Sequence, residues 1–286
     1  MAAGRGRLLV VGTPIGNLGD LTPRAADALR TADLVVAEDT RFAARLLRHL
    51  GARTPTSSFN EHNAAERLPG LLARLAAGET LALTTDAGMP GVSDPGARLV
   101  EAARAAGAAV EVVPGPSAVT AAMALSGIGS PGFVFGGFLP ARPALSRRAA
   151  LQRLLAGSGA MGLPLVLFEA PHRVRSLLAE LSSVAPDASV AVCRELTKLY
   201  EEVLTGTPAE VASALTEPRG EFTVVLGGIA ASDAAGAPVN TAALAAAAIR
   251  AGLPPRTIVE LLRAAGMPRR AAYRAVPTAD DGPAPS

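Results

Sequence analysis

The side chains able to do chemistry gather in a few short stretches, each at the end of an apolar run. AEDTR (37–41) sets Glu38, Asp39 and Arg41 side by side, and FNEHN (59–63) brings Glu61 next to His62. FEAPHR (168–173) and CRELTKLYEE (193–202) add Glu169, Arg173, Arg194, Glu195, Lys198, Glu201 and Glu202, dense charge against alanine-rich surroundings. Carboxylates beside a cation make a solvated ion pair, a helix cap or the proton acceptor of a polar cleft, and residue type alone leaves these open. Lys198 is the one lysine among 27 basic side chains. An ammonium can lose its proton when buried and a guanidinium cannot, so a lysine kept against that arginine bias fits a use specific to lysine as well as it fits chance. Three scattered histidines and a single cysteine, Cys193, exclude an internal disulfide and argue against a metal site.

A second set of stretches offers backbone rather than side chains. VVGTPIGNLGD (10–20) runs from an apolar strand into a loop with Gly12, Gly16 and Gly19, and a helix is expected from about Thr22. Such a loop lets backbone N–H groups close on a polar ligand. Pro14 and the glycine spacing break the G-x-G-x-x-G dinucleotide pattern, so another ligand is expected. Asp86 ends an apolar strand and is followed by AGMPGVSDPG (87–96), with a further carboxylate, Asp94. VVPGPSA (112–118) sets Ser117 at the start of a helix. Loops at the carboxyl ends of parallel strands are where open α/β sheets bind ligands, and these loops would share one rim.

The elements that must hold this rim alternate along the first half. LLVVG, DLVVAED, TLALTTD and AAVEVVPG read as strands, with helical patterns such as TPRAADALRTA, RFAARLLRHLG and PGARLVEAARAAG between them. That βαβ rhythm predicts a parallel sheet over residues 1–116. A second α/β domain over 117–230 draws strands from FVFGGFL, LPLVLFEA, ASVAVCREL, YEEVLTGT and GEFTVVLGG, and some connections are short enough for hairpins, so its sheet is expected to be mixed. Small polar residues between Ala230 and Asn240 read as a linker. Three short helices over 240–276 suggest a helix-turn-helix-like unit, and residues 277–286 read as a disordered tail.

Bulk properties narrow the class. The 286 residues are 49% hydrophobic and 18% charged, which is a globular composition. A net charge of +2 gives no broad polybasic field, so any nucleic-acid contact must be local. No apolar run reaches the roughly 18 residues of a membrane span, and the start has too short an apolar core for a signal peptide, so a cytoplasmic protein without membrane contact is expected.

Taken in order, GTPIGNLGDLTPRA, AEDTR, FNEHN, TTDAGMPGVSDPG, PGPSA, GGFLP, FEAPHR, RELTK and GEFTVVLGG resemble the motif series of the ribosomal RNA small subunit methyltransferase I family, within the tetrapyrrole methylase superfamily. The resemblance runs from Leu8 to Gly228, with Thr85-Asp86-Ala87-Gly88 where that family has Ser-Asp-Ala-Gly, and FEAPHR where it has Tyr-Glu-Ser-Pro-His-Arg. The helical tail resembles the family's more weakly. The resemblance implies S-adenosylmethionine as methyl donor, folded into a cleft between two α/β domains. It further implies 2′-O-methylation of a cytidine ribose in the decoding region of 16S rRNA, on the assembled small ribosomal subunit, by a homodimer.

Carried over by motif, Asp86, Ala87, Gly88, Ser93, Ser117 and Ala118 should line the cofactor from the first domain. Phe168, Glu169, Arg194 and Glu195, with Gly220 and Glu221, should approach it from the second. A base must take the hydroxyl proton, and the candidates are Lys198 in its neutral form, Glu38, Asp39 and His62. Gly12 and Asn17 in the opening loop, with Arg41, read as a cleft wall towards the substrate. RNA contacts are expected from ARPALSRR, with Arg142, Arg147 and Arg148 on a flap after GGFLP, and from Arg269 and Arg270 in the tail. Two other readings compete: a superfamily methyltransferase acting on a corrin precursor or of the diphthamide type, and a non-catalytic regulator that senses a metabolite and binds nucleic acid. AEDTR, FEAPHR and the helical tail argue against the first, and the weakly basic tail against the second.

Overall fold

The computed structural model describes residues 6–92, 94–229, 241–250, 253–264 and 267–276. Ser93, the expected linker and the expected disordered tail lie outside the described residues. The chain divides into two compact units, Met1–Ala230 and Ala231–Ser286.

The first half of the larger unit follows the alternation of its sequence. Strands β1 (Arg7–Val11), β2 (Leu34–Ala37), β3 (Thr56–Ser58), β4 (Thr80–Thr84) and β5 (Ala109–Val113) form one sheet in the order β3-β2-β4-β1-β5. Every pairing in it is parallel. Helices α1 (Pro23–Thr31), α2 (Thr40–His49), α3 (Ala64–Ala76) and α4 (Gly96–Ala105) make the crossovers. Strand side chains alternate between faces. Leu9, Val11, Val35 and Ala82 therefore meet α1 and α2 on one side, while Leu8, Val36, Leu81 and Leu83 meet α3 and α4 on the other. Pro23 sits in the first turn of α1 behind the Thr22 cap, where its missing N–H costs nothing. Sequence patterning passes over β3, three polar residues without an apolar run, and α3, which carries Pro69 inside.

The second half builds a mixed sheet. Strands β6 (Val134–Phe138), β7 (Leu165–Glu169), β8 (Ser189–Arg194), β9 (Glu202–Gly206) and β10 (Phe222–Gly227) stand in the order β6-β7-β10-β8-β9. Only β6 and β7 run parallel; the other pairs are antiparallel. Its leucine-rich face takes Leu151 and Leu155 of α6 (Ala144–Met161), Leu177, Leu178 and Leu181 of α7 (Val174–Val184), and Val211 of α8 (Pro208–Ala214). The opposite face, with Val166, Ala191, Cys193 and Val225, is covered by Val119 and Ala122 of α5 (Ala118–Ser126) and by Ile15 from the opening loop. The two sheets are thus joined by a residue of the first half buried in the second. The segment expected as a flap is an 18-residue helix from Ala144 onward.

The smaller unit holds α9 (Thr241–Arg250), α10 (Pro255–Ala264) and α11 (Arg269–Arg274), centred on Ile258, Val259, Leu262 and Ala272. Among the described residues no helix is long and apolar enough to cross a membrane, and no group of His, Cys, Asp or Glu side chains could hold a metal ion.

Candidate active site

The carboxyl ends of β1, β2, β4 and β5 form a rim, and the ends of β7 and β10 close on it. Between them lies a cavity of about 480 Å³, within the range of small-molecule sites. Asp86, Ala87 and Gly88 after β4, Ser117 and Ala118 at the start of α5, Phe168 and Glu169 on β7, and Gly220 and Glu221 before β10 all line it. A second cavity of about 450 Å³ lies alongside, lined by Thr13, Phe42, Arg45, Thr85 and Lys198 among others. The two share Ile15, Asp86, Ala87 and Glu221 as a common wall.

The loops are fixed by backbone contact at the rim. Thr13 and Gly88 exchange both backbone hydrogen bonds, at 2.9 and 3.1 Å, and the Thr13 hydroxyl donates to the Thr85 carbonyl at 3.1 Å. A Cβ on Gly12 would fall 2.6 Å from the Gly115 amide nitrogen, so only glycine lets these two loops touch. Gly12 is therefore a support behind the cavity, lining neither space. Asn17 also lines neither; its side chain caps the short turn at Gly19, and its N–H donates to Thr197 Oγ1 at 3.0 Å. That bond ties the opening loop to the turn after β8.

That turn is strained and charged. Glu195 and Thr197 hold positive backbone φ, 51° and 66°, which non-glycine residues adopt rarely and only where the surrounding structure fixes the turn. It presents Lys198, whose Nζ lies 2.8 Å from Glu195 Oε1 and 3.1 Å from Glu221 Oε2. Burial alone would lower the ammonium, but its hydrogen bonds to Glu195 and Glu221 outweigh that and raise it above the ordinary lysine value. The two carboxylates thus favour the ammonium, a hydrogen-bond donor, over the neutral amine considered from sequence. Burial likewise pushes Glu195 upward, and Lys198 with the Glu221 N–H reverses it, leaving the carboxyl below its ordinary value. Glu195 lines neither cavity, and Arg194 is committed to the Arg219 carbonyl at 2.9 Å and to Glu202 at 3.1 Å.

At the opposite wall stands a carboxylate group. Glu38 lines the first cavity and accepts from Thr85 Oγ1 at 2.9 Å. Asp86 Oδ1 accepts the Asp39 N–H at 3.1 Å; burial, and then the charge of Glu38, push this carboxyl above the ordinary aspartate range. Asp39 itself caps α2 and is held low, chiefly by the side-chain hydrogen bond from Arg41. His62 is exposed in the turn before α3 and lines neither cavity. Of the four candidate bases, Glu38 alone is an acceptor in the first cavity.

Glu169 is almost fully buried at 2% exposure, and both its oxygens are spoken for. Arg147 Nη2 reaches Oε2 at 2.8 Å, and Arg173 Nε and the Ala170 N–H reach Oε1 at 2.8 Å each. Arg147 therefore faces the interior, and a polyanion reaching this segment would meet Arg142 and Arg148, which are exposed. Arg269 and Arg270 are exposed on the smaller unit. Sequence reasoning gave no role to Phe138, Leu196 or Thr223, which also line the first cavity. Phe138 packs 5.3 Å from the Phe168 ring and lies within GGFLP, a stretch noted as part of a strand and for its resemblance.

The tetrapyrrole (corrin/porphyrin) methylase family profile matches residues 7–212. The fold agrees: a crystal structure of diphthine synthase superposes with a TM-score of 0.62 at 16% identity, covering 78% of this chain and 90% of that one. The chain belongs to the tetrapyrrole methylases. Within them, it is 43% identical over 274 residues to ribosomal RNA small subunit methyltransferase I of Xylella fastidiosa (strain Temecula1), covering 94% of this chain and 98% of that one. The counterpart from Thermotoga maritima is 43% identical over 225 residues, 78% of this chain and 99% of its own length. The chain is a member of the ribosomal RNA small subunit methyltransferase I family, and so a methyltransferase that uses S-adenosylmethionine.

Proposed function

We propose that the chain methylates the 2′ hydroxyl of a cytidine in the decoding region of 16S rRNA, acting in the cytoplasm on the assembled small subunit and as a homodimer. The observation that carries this reading is the pair of adjoining cavities, one lined by the loops that resemble the family's cofactor motifs, the other floored by Lys198. The close family relatives favour ribosomal RNA over a corrin precursor or a protein substrate.

The first cavity suits S-adenosylmethionine by shape and charge. Apolar surface from Val119, Phe138 and Phe168 lies opposite Glu38, Asp86 and Glu221, carboxylates suited to a ligand with sulfonium and ammonium charges. When bound, that ligand supplies an electrophilic methyl group. The protein's own work is to align a ribose oxygen with it and to exclude water, since attack neutralises a charge and fixed geometry contributes much of the rate. Lys198 donates a hydrogen bond to the ribose at the common wall. Glu38 takes the hydroxyl proton, and Asp86, with its raised affinity for a proton, stands next to it as a relay. The apolar neighbours at the wall, Ile15 and Ala87, keep water from the reacting oxygen.

The test separates the roles. Glu38→Gln should lower kcat about 100-fold or more with cofactor affinity within a few-fold, the usual scale for a lost general base. Lys198→Arg keeps charge but not the compact donor, and should lower turnover as well. Full turnover of Lys198→Arg on small ribosomal subunits would contradict the role given to Lys198, and full turnover of Glu38→Gln the role given to Glu38.

A further inference from the structure

Helix α2 is charged in one sense only. Between Thr40 and His49 it carries Arg41, Arg45 and Arg48 and no carboxylate, in a chain whose net charge is +2. Spaced by four and three residues, the arginines lie along one helix face. Arg41 is paired with Asp39. Among the described residues, Arg45 and Arg48 enter no ion pair. Arg45 also stands over the Phe42 ring, 5.4 Å from its centroid, and Phe42 is 46% exposed. Both residues line the second cavity, as do Lys198 and Asp86.

A cation-bearing aromatic face lining a cavity is a platform for a nucleobase. A cavity of about 450 Å³ admits one nucleotide and not a duplex, so the nucleotide must be single-stranded or turned out of its stack. Its floor offers ribose hydroxyls both donors and acceptors: Thr13, Thr85 and Lys198 with Asp86 and Glu221.

We propose that the second cavity seats one extruded nucleotide, its base stacked on Phe42, while Arg45 and Arg48 hold phosphates of the flanking single strand along α2. The ribose then lies at the wall shared with the first cavity. This rests on the ribose-methylation reading and names the surface by which that reading meets its substrate. It also fits a chain without a basic field, since the contact needs only local arginines on one helix.

The experiment compares the full-length chain with Phe42→Ala, Phe42→Tyr and the double variant Arg45→Ala/Arg48→Ala. Calorimetric titration with S-adenosylmethionine checks folding and should give unchanged affinity. Binding of small ribosomal subunits is then measured against salt. Losing two phosphate contacts should lower the slope of log K against log salt by about 1.4, at about 0.7 per single-strand phosphate. Loss of the stacking face should weaken subunit binding about 5- to 150-fold, and Phe42→Tyr should restore it. A slope and affinity unchanged in these variants would overturn the proposal, even if the unaltered chain methylates subunits. Methyl transfer to some other acceptor by the unaltered chain would instead remove the ribose reading, and absence of any subunit binding would overturn both.

Discussion

Replacing Arg147 with methionine keeps most of the side chain's apolar stem and removes the guanidinium from Glu169. The two groups are 2.8 Å apart with side-chain exposures of 9% and 0%, so the pair is shielded from solvent. Breaking a buried pair from one side costs about 3–5 kcal/mol, because a buried charge is left behind. Here Glu169 keeps Arg173 and the Ala170 N–H, and the Arg147 Nη1, buried without a hydrogen-bond partner, is relieved. Both features bring the loss to or below the bottom of that range, about 2–3 kcal/mol. For a unit of this size that is a fall in Tm of about 4–12 °C. Differential scanning calorimetry reads it directly, with Arg148→Met as the control. Arg148 is exposed one residue away, and its loss should stay within about 0.5 kcal/mol. If Arg147→Met melts with the unaltered protein, and instead lowers the salt dependence of subunit binding, then Arg147 faces RNA and the buried cluster is wrongly drawn.

Gly12→Ala sets a Cβ against the backbone of Gly115, which no side-chain rotation can relieve. It should cost about 1–3 kcal/mol and weaken S-adenosylmethionine by displacing the Ser117 loop; unchanged affinity by calorimetry would refute the close contact. Cys193 is buried and its thiol is pushed up to about 11, mainly by burial. At pH 8 it should resist an aromatic disulfide reagent until denaturant is added, and labelling of the native protein within minutes would contradict this. Asp86 is raised by burial and by Glu38. At low pH it is protonated in folded and unfolded chains alike and costs nothing; as pH rises through its folded-state value, the fold must hold a disfavoured charge. Asp86→Asn should therefore raise Tm at pH 7, lose that gain near pH 3, and weaken cofactor binding; a gain equal at both pH values would show that charge is not the cause.

The architecture was legible because it rests on periodicity. Short apolar runs such as LVVA and TLALT, rich in β-branched residues and bounded by turn signals, read as strands buried on both faces, and the helices between them favour parallel pairing. Elements without that signal were missed: β3 is TSS at a sheet edge, and α3 is masked by Pro69. At the site, residues whose backbone lies at a strand end were readable from motif and position, as with Asp86, Ser117 and Phe168. Residues whose role depends on which way a side chain turns were not. Arg147 and Arg148 are neighbours in sequence, yet one is buried on Glu169 and the other faces solvent. Lys198 was singled out by composition, but its ammonium is held by Glu195 three residues before it and by Glu221, which is distant in sequence. On α2 the sequence pointed to Arg41 alone, and the helical pattern gave no separate role to Arg45 and Arg48.

The central claim is that this cleft delivers a methyl group to a ribose oxygen of small-subunit RNA. Incubating the protein with methyl-labelled S-adenosylmethionine and small ribosomal subunits lacking the modification, then hydrolysing the RNA in alkali, addresses it directly. A 2′-O-methyl blocks the attack that cleaves the neighbouring phosphodiester, so the account predicts label in one alkali-resistant dinucleotide beginning with cytidine. Label released in mononucleotides, which would place the methyl on a base, or no label in RNA at all, would contradict it.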